Sequence, residues 1–243
     1  MDPFFISAAS GMKARLESLD ILANNLANLS TSGFKLDREA FNVYVSEQAR
    51  AGDGEFAARS PITEKHATDL SQGTLSETGN GLNLALEGQG FLTVTNGDKL
   101  AYTRNGQMKI GTDGALETPD GNKFQSTLGK PLIVDPAIAV DIDREGMVRQ
   151  NGQEIGQLQL SKVDDANKLQ KLGSTYFMVA DTSSMQKSDA QVRQGYLEAS
   201  NVNPADAAIR LVGVLRQFEM LQRAMQLGAD MNRKVIDEVA KPG

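Results

Sequence analysis

The sequence predicts an α+β protein: a long helix at each end of the chain, the two forming a coiled-coil-like assembly domain, with a central antiparallel β-rich domain. Three observations predict it. Apolar residues recur at three-four spacing near both termini, Asn-Gly and Asp-Gly pairs punctuate the middle, and both helical stripes lie outside the strand-rich stretch.

Residues 1–35 hold the first helix. Asp2 can cap it and Pro3 suits its first turn. The register Phe5, Ala8, Met12, Arg15, Leu19, Leu22, Leu26, Leu29 is apolar everywhere but Arg15. A seam that narrow is the coiled-coil pattern. About 27 residues at ~1.5 Å each give a length of about 40 Å. The seam runs into Asn24, Asn25 and Asn28, although asparagine is a poor helix-interior residue because its amide competes for backbone groups. Ser30-Thr31-Ser32-Gly33-Phe34 then reads as a stop, with Gly33 free to turn left-handed. A helix ending in a strip of amides suits packing against other chains, where side chain bonds to backbone fix register.

Residues 36–71 read as an extended connector, polar and rich in Gly, Ala and charge from about position 45. From 72 to 182 the pairs Asn96-Gly97, Asn105-Gly106, Asp113-Gly114, Asp120-Gly121 and Asn151-Gly152 are hairpin signals, since both residues tolerate positive φ. They separate short runs such as Phe91–Thr95, Gln157–Leu160 and Thr175–Val179, as in an antiparallel β domain. Residues 183–202 read as a second connector.

Residues 203–243 repeat the helical design. Asn203 caps, Pro204 opens the first turn and Asp206 favours the positive helix start. The register Leu211, Leu215, Phe218, Gln222, Met225, Ala229, Asn232, Ile236, Val239 breaks only at Gln222 and Asn232. Val214, Met220, Leu221, Leu227, Met231 and Val235 lie off it, so this helix carries apolar surface on more than one side. Either the terminal helices pair with each other or they pack into an assembly.

Composition narrows the function. The 243 residues carry a net charge of −6, which disfavours nucleic acid, and lack Trp, which disfavours a base-stacking platform. Absent cysteine removes disulfides, thiolate nucleophiles and the usual structural zinc sites. The start, Met1-Asp2-Pro3-Phe4-Phe5-Ile6-Ser7, lacks the basic residue and long apolar run of a secretory signal, so we expect neither a cleaved leader nor a membrane span.

Catalytic chemistry is sparse. His66 is the only histidine and sits in the polar connector. Asp141-Ile142-Asp143-Arg144-Glu145-Gly146 resembles half a calcium loop, but Gly152 stands where the loop needs a bidentate Glu, so a hairpin turn is the better reading. Gly79-Asn80-Gly81 lacks the third glycine of a dinucleotide fingerprint, Leu84 standing in its place. We expect no catalytic residues, cofactor, metal or small-molecule substrate. The rival class, an enzyme or binding domain with helical dimerisation ends, would need a pocket of convergent titratable groups.

Four blocks carry a resemblance: Asn24-Asn25-Leu26-Ala27-Asn28 with Thr31-Ser32-Gly33-Phe34-Lys35; Thr78 to Phe91; Ala101-Tyr102-Thr103-Arg104-Asn105-Gly106; and Gly195-Tyr196-Leu197-Glu198-Ala199-Ser200-Asn201-Val202. In order and span they resemble the bacterial flagellar rod and hook family, with Ser30 departing from the asparagine often found there. Arg216-Gln217-Phe218-Glu219-Met220 is similar to the proximal-rod branch, with a distal-rod or hook-type subunit as the alternative. The resemblance implies a non-enzymatic basal-body subunit. Its terminal helices would line the axial channel and its β domain would face outward. Its partners would be other rod subunits, adjoining ring proteins and the flagellar type III export apparatus. It would assemble across the periplasm after export without a cleaved signal. The expected interface is Leu19, Leu22, Asn24, Asn25, Leu26, Asn28, Leu29, Gly33 and Phe34 on the first helix and its exit, with Leu211, Leu215, Phe218, Met225 and Ile236 on the last.

Overall fold

The computed structural model describes the backbone of residues 3–45, 59–97 and 99–239, and the side chains of residues 5–38, 67–97, 99–234 and 237. Its fold is mixed α+β, and the chain divides into two compact units. One comprises residues 1–27, 37–67 and 203–243; the other comprises 28–36 and 68–202.

The first unit holds helix α1 (Pro3–Ala27), strands β1 (Asp37–Val45) and β2 (Arg59–Thr68), and helix α2 (Pro204–Val239). The two strands pair with each other. The stretch expected as an extended connector is thus strand over much of its described length. Phe41, Val43 and Val45 alternate with polar residues, the period-two signal that a reading by overall polarity passes over. Residues 46–58 lie outside the described residues, as does the side chain of His66.

Helix α2 starts as its sequence requires. The Asn203 side chain accepts from the Ala205 amide at 3.0 Å, and the Asn203 carbonyl accepts from Ala207 N–H, also at 3.0 Å. Helices α1 and α2 pack together. The faces they bury within the chain overlap the expected seams in part, with Ala8 and Leu22 of the α1 seam buried. On α1 the inward positions Gly11, Ala14, Ser18, Ile21 and Asn25 follow three-four spacing, and most are small. A Cβ added to Gly11 would lie 3.7 Å from Leu221 Cδ1, so the glycine admits the partner helix's leucine. On α2 the inward line is Ala207, Leu211, Val214, Phe218, Leu221 and Met225. It shares Leu211, Phe218 and Met225 with the expected seam but takes Val214 and Leu221 in place of Leu215 and Gln222. Small residues on α1 allow close approach, and the bulkier α2 side chains fill the groove.

The second unit is antiparallel β structure. β3 (Leu75–Glu77) pairs with the strand Tyr196–Glu198; β4 (Asn83–Glu87) lies between Gln191–Gln194 and Gly106–Gln107. The largest sheet centres on β5 (Phe91–Asn96), β6 (Lys99–Thr103), Leu160–Val163 and Tyr176–Val179. Leu84, Leu86, Leu92, Val94, Leu116 and Phe124 form the heart of its main apolar core. The β structure runs past the expected limit of 182: Met185–Lys187, Gln191–Gln194 and Tyr196–Glu198 are strands where a connector was expected.

The hairpin signals mostly mark turns. At Asn151-Gly152 both residues have positive φ, 49° and 78°, joining Met147–Gln150 to Gln153–Gln157. Asn105-Gly106 does otherwise. Gly106 lies in a strand opposite Leu84, and a Cβ there would collide with the Leu84 carbonyl, so this glycine serves close backbone approach. The Asp143 to Gly146 stretch is the expected turn. Asp143 accepts at Oδ1 from the amides of Glu145 and Met147, and at Oδ2 from Arg149 at 2.8 Å. Among the described residues no group of acids and histidine is placed to hold a metal ion, and no helix is long and apolar enough to cross a membrane.

Candidate functional site: helix faces and a linker clamp

In the first unit, Asn25 is the one asparagine of the strip buried against its own chain. Its Nδ2 donates to the Asp37 carbonyl at 2.8 Å, and its Oδ1 accepts from the Asp37 amide at 3.0 Å. The side chain thus behaves as one more peptide group, tying α1 to the start of β1. Leu22 is buried, Leu19 and Leu26 half-buried, and Asn24 exposed. Leu211, Phe218 and Met225 are half-buried, Leu215 is exposed, and the Ile236 side chain lies outside the described residues.

The other face of α2 is apolar as well. Ile209, Met220, Leu227 and Met231 are 71%, 60%, 65% and 67% exposed. Spacings of eleven, seven and four residues place them on one stripe. At about 100° per residue this stripe lies opposite the line Ala207, Val214, Phe218, Met225 that packs inward. A helix in a lone chain buries one apolar stripe and shows water a polar one. This helix shows water a second apolar stripe.

The remaining expected residues belong to the second unit. Past Ala27 the chain turns: Thr31 Oγ1 donates to Asn28 Oδ1 at 3.1 Å, and Phe34 N–H donates to the Thr31 carbonyl at 3.2 Å. Gly33 has φ +72°, the left-handed value expected, but six residues beyond the last helical residue rather than at a helix cap. Its position is set by close approach: a Cβ there would meet the Arg104–Asn105 backbone, and its N–H donates to the Glu198 carbonyl at 2.7 Å. Phe34 is fully buried, with Lys171 Nζ 4.1 Å from its ring centroid.

Next to Phe34 lies a buried charge cluster. Lys35 Nζ stands 2.5 Å from Glu198 Oε1, and Arg104 Nη1 stands 3.1 Å from Glu198 Oε2; all three residues are at most 4% exposed. Lys35 also donates to the Ser71 carbonyl, Gly73 N–H donates to Glu198 Oε1, and Arg104 Nη2 donates to the Gly88 carbonyl at 2.6 Å. Asn201 finishes the clamp, accepting from Leu36 N–H and donating to the Asp69 carbonyl, each at 2.8 Å. Burial holds both the Lys35 ammonium and the Arg104 guanidinium below their ordinary pKa, and Glu198 works against that shift. Two cations share one carboxylate, so removing the acid would strand both. Arg104 Nε is buried without a partner and the guanidinium lies 5.6 Å from the Phe91 ring centroid.

Chemically this cluster holds geometry. Both Glu198 oxygens are occupied, and the groups around it are backbone carbonyls and amides. It binds the segment leaving α1 and the segment entering α2 to the same β scaffold. Sequence reading quoted Lys35, Arg104 and Glu198 inside its motif blocks but gave them no role. The available signal was a lone acid between apolar residues, Leu197-Glu198-Ala199, which when buried needs a cation.

Three family descriptions match this chain in order. One for flagella basal body rod proteins covers residues 6–35, one for the flagellar hook protein FlgE/F/G D1 domain covers 85–150, and one for the flagellar basal body rod FlgEFG protein C-terminal covers 193–238. Among similar curated proteins, the flagellar basal-body rod protein FlgF of Caulobacter vibrioides is 30% identical over 239 residues, 98% of this chain and 97% of that protein. The FlgF of Mesorhizobium japonicum is 29% identical over 94% of each chain, and the FlgG of Bacillus subtilis is 27% identical over 95% of this chain and 97% of its own length.

Proposed function

From the premise that this chain belongs to the flagellar basal-body rod and hook family, as a structural rod subunit, we propose that it builds the proximal rod, assembling helically through its terminal helices to carry torque and to line the export channel. The observation that carries this is the pair of opposed apolar faces on α2. One packs with α1 of the same chain; the other, with Ile209, Met220, Leu227 and Met231, is left for neighbouring subunits. Fully burying one such side chain stabilises by about 1.5–3 kcal/mol before the cost of association is subtracted. Repeated around a lattice, such contacts resist shear.

The clamp serves the same end from the β side. It holds the segment that follows α1 and the segment that precedes α2 on one β scaffold. The partners on this reading are further copies, other rod proteins and the adjoining ring proteins, in the periplasm, after passage through the flagellar export apparatus. The reading assigns no catalytic role. The FlgF relatives favour the proximal rod; FlgG relatives matching over nearly the whole chain make the distal rod the alternative. Electron cryo-microscopy of purified basal bodies, with the chain located by side-chain density, tests the proposal. Density at the motor end supports it; density confined to the hook end assigns the chain to the distal rod.

A further inference from the structure

The largest sheet of the β unit repeats a motif. The stretches Val163–Lys171 and Val179–Lys187 share a Val, an Asp two places on, and then Leu or Met followed by Gln and Lys at the same spacing. In each, the aspartate side chain (Asp165, Asp181) accepts from the amide two residues on at 2.9 Å and opens a short 3-10 turn, after which Leu169 or Met185 begins a strand. The strand pairing repeats as well. Ser161 lies opposite Phe91 and Lys187, with Val163 opposite Met185; Phe177 lies opposite Tyr102 and Lys171, with Val179 opposite Leu169. A pseudo-two-fold axis at the Leu92–Thr103 pair of β5 and β6 therefore exchanges the two halves.

The side chains on one face obey this axis with a single exception. Phe91 exchanges with Tyr102, Val163 with Val179 and Leu169 with Met185, and all six belong to one apolar cluster. Phe177, fully buried, exchanges with Ser161. Phe177 packs its ring on Phe91, the centroids 5.3 Å apart; the mate of that contact sets Tyr102 beside a serine. A small side chain where the mate position holds a ring leaves space. A cavity of about 590 Å³ opens there, with Tyr102, Ser161, Met185 and Lys187 in its lining. That is the size of a ligand site.

The other half shows what the repeat's lysine holds. Lys171 Nζ stands 4.1 Å from the Phe34 ring centroid and donates to the Lys35 carbonyl at 2.8 Å. It thus grips an extended segment by an aromatic ring and by the carbonyl of the next residue. Its mate Lys187 is exposed, lines the cavity and pairs with no acid among the described residues. The charged residues of the lining balance, Arg144 and Lys187 against Glu145 and Asp189, so the site suits an uncharged occupant. The strand Met185–Lys187 pairs with Leu160–Val163 and, among the described residues, with no other strand, which leaves a backbone edge beside the cavity. We propose that this cavity seats an extended, uncharged, aromatic-bearing segment of a partner protein in the way the other half seats Phe34. The ring enters beside Tyr102, Ser161 and Met185, and the carbonyl after it accepts from Lys187. Edge pairing supplies affinity and the aromatic pocket supplies specificity.

The test uses the full-length chain, isotope-labelled, titrated with the acetylated and amidated peptide Ser-Gly-Phe-Gln-Leu, which is the chain's own 32–36 stretch with its lysine made neutral. The expected result is saturable amide shifts at Ser161, Met185 and Lys187, with binding at least about tenfold weaker when the probe's Phe is replaced by Ala, the loss expected for one buried ring. Ser161→Phe should abolish binding, because it places in the cavity the ring that its mate position already holds. Lys187→Gln should weaken binding severalfold with the melting temperature unchanged; Lys187 is exposed, so that variant reports on the site even if the serine change perturbs the core. Absence of saturable shifts at millimolar probe, equal affinity for the Phe and Ala probes, or unchanged affinity in Lys187→Gln would each overturn the proposal. So would shifts confined to Phe34 and Lys171, which would mean that the probe displaces the chain's own linker, or equal affinity for N-acetylphenylalaninamide, which would mean that the cavity reads a small aromatic molecule and not a segment.

Discussion

The clamp of the β unit and the outer face of α2 solve opposite problems. At the clamp, charges that water would hold well are buried: Lys35, Arg104 and Glu198 are each at most 4% exposed, and every oxygen of the acid is taken. On α2, apolar side chains that would be stable inside are left out, with Leu227 and Met231 about two-thirds exposed. The clamp's charges pair with one another within one chain. The helix face cannot. A residue's cost of being where it is thus separates what stabilises the subunit from what joins subunits, and the two sets can be broken independently.

The largest loss is expected at the centre of the clamp. Glu198→Ala leaves two buried cations without a counter-charge, and such a loss costs about 3–5 kcal/mol. Urea unfolding of the full chain, followed on the β unit, should show it. A loss under about 1 kcal/mol, the worth of an exposed pair, would mean that the cluster is not what holds the linkers. Gly33→Ala comes next. It combines a left-handed φ of +72° with a Cβ driven into the Arg104–Asn105 backbone, and should cost about 2 kcal/mol or more. Asn25→Ala removes both hydrogen bonds to Asp37 and should cost about 1–3 kcal/mol, read in the helical signal rather than in the β unit.

How far these sites were legible depends on the range of the interaction. The Asn203 cap, the Pro204 start and the Asn151-Gly152 turn are local, decided by neighbours within four residues, and all stand where sequence puts them. The inward helix faces coincide with the expected seams only in part, at Ala8, Leu22, Leu211, Phe218 and Met225, because apolar content alone does not choose which face packs within the chain. Gly11, Ala14 and Ser18 face inward where small residues fit, while of the leucines on the same helix Leu22 is buried, Leu19 and Leu26 are half-buried and Leu16 is exposed. The clamp was illegible for a different reason. Lys35 and Glu198 are 163 residues apart, and no periodicity links them. Gly33 shows both limits: its left-handed turn was foreseen, yet the reason for it is Arg104, brought close only by the fold.

Acid–base behaviour sharpens the contrast on a finer scale. Burial lowers the Lys35 pKa, so between that lowered value and the ordinary ~10.4 the unfolded chain binds a proton that the folded chain does not. Stability then rises with pH across that window. The difference in unfolding free energy between the wild type and Lys35→Met should therefore move in favour of the wild type as alkaline pH is approached. A flat difference would mean that the ammonium is as well solvated as an exposed one.

The smallest effect on the free chain is expected where the effect on assembly is greatest. Leu227 is 65% exposed and lies opposite the inward face of α2, so Leu227→Asp removes little intrachain packing. It keeps the helix hydrogen bonds, and aspartate's lower helix propensity costs only about 0.5 kcal/mol. The melting temperature should barely move. In a lattice the same carboxylate would enter an apolar interface without a partner, a penalty of several kcal/mol at every repeat. Cells carrying this variant should export a folded-competent chain that fails to enter basal bodies and should not swim, while Glu219→Gln on the same helix, 60% exposed and charged, should assemble normally. Normal motility with Leu227→Asp would mean that the second apolar stripe meets no neighbour, and the division between clamp and face would lose its functional half.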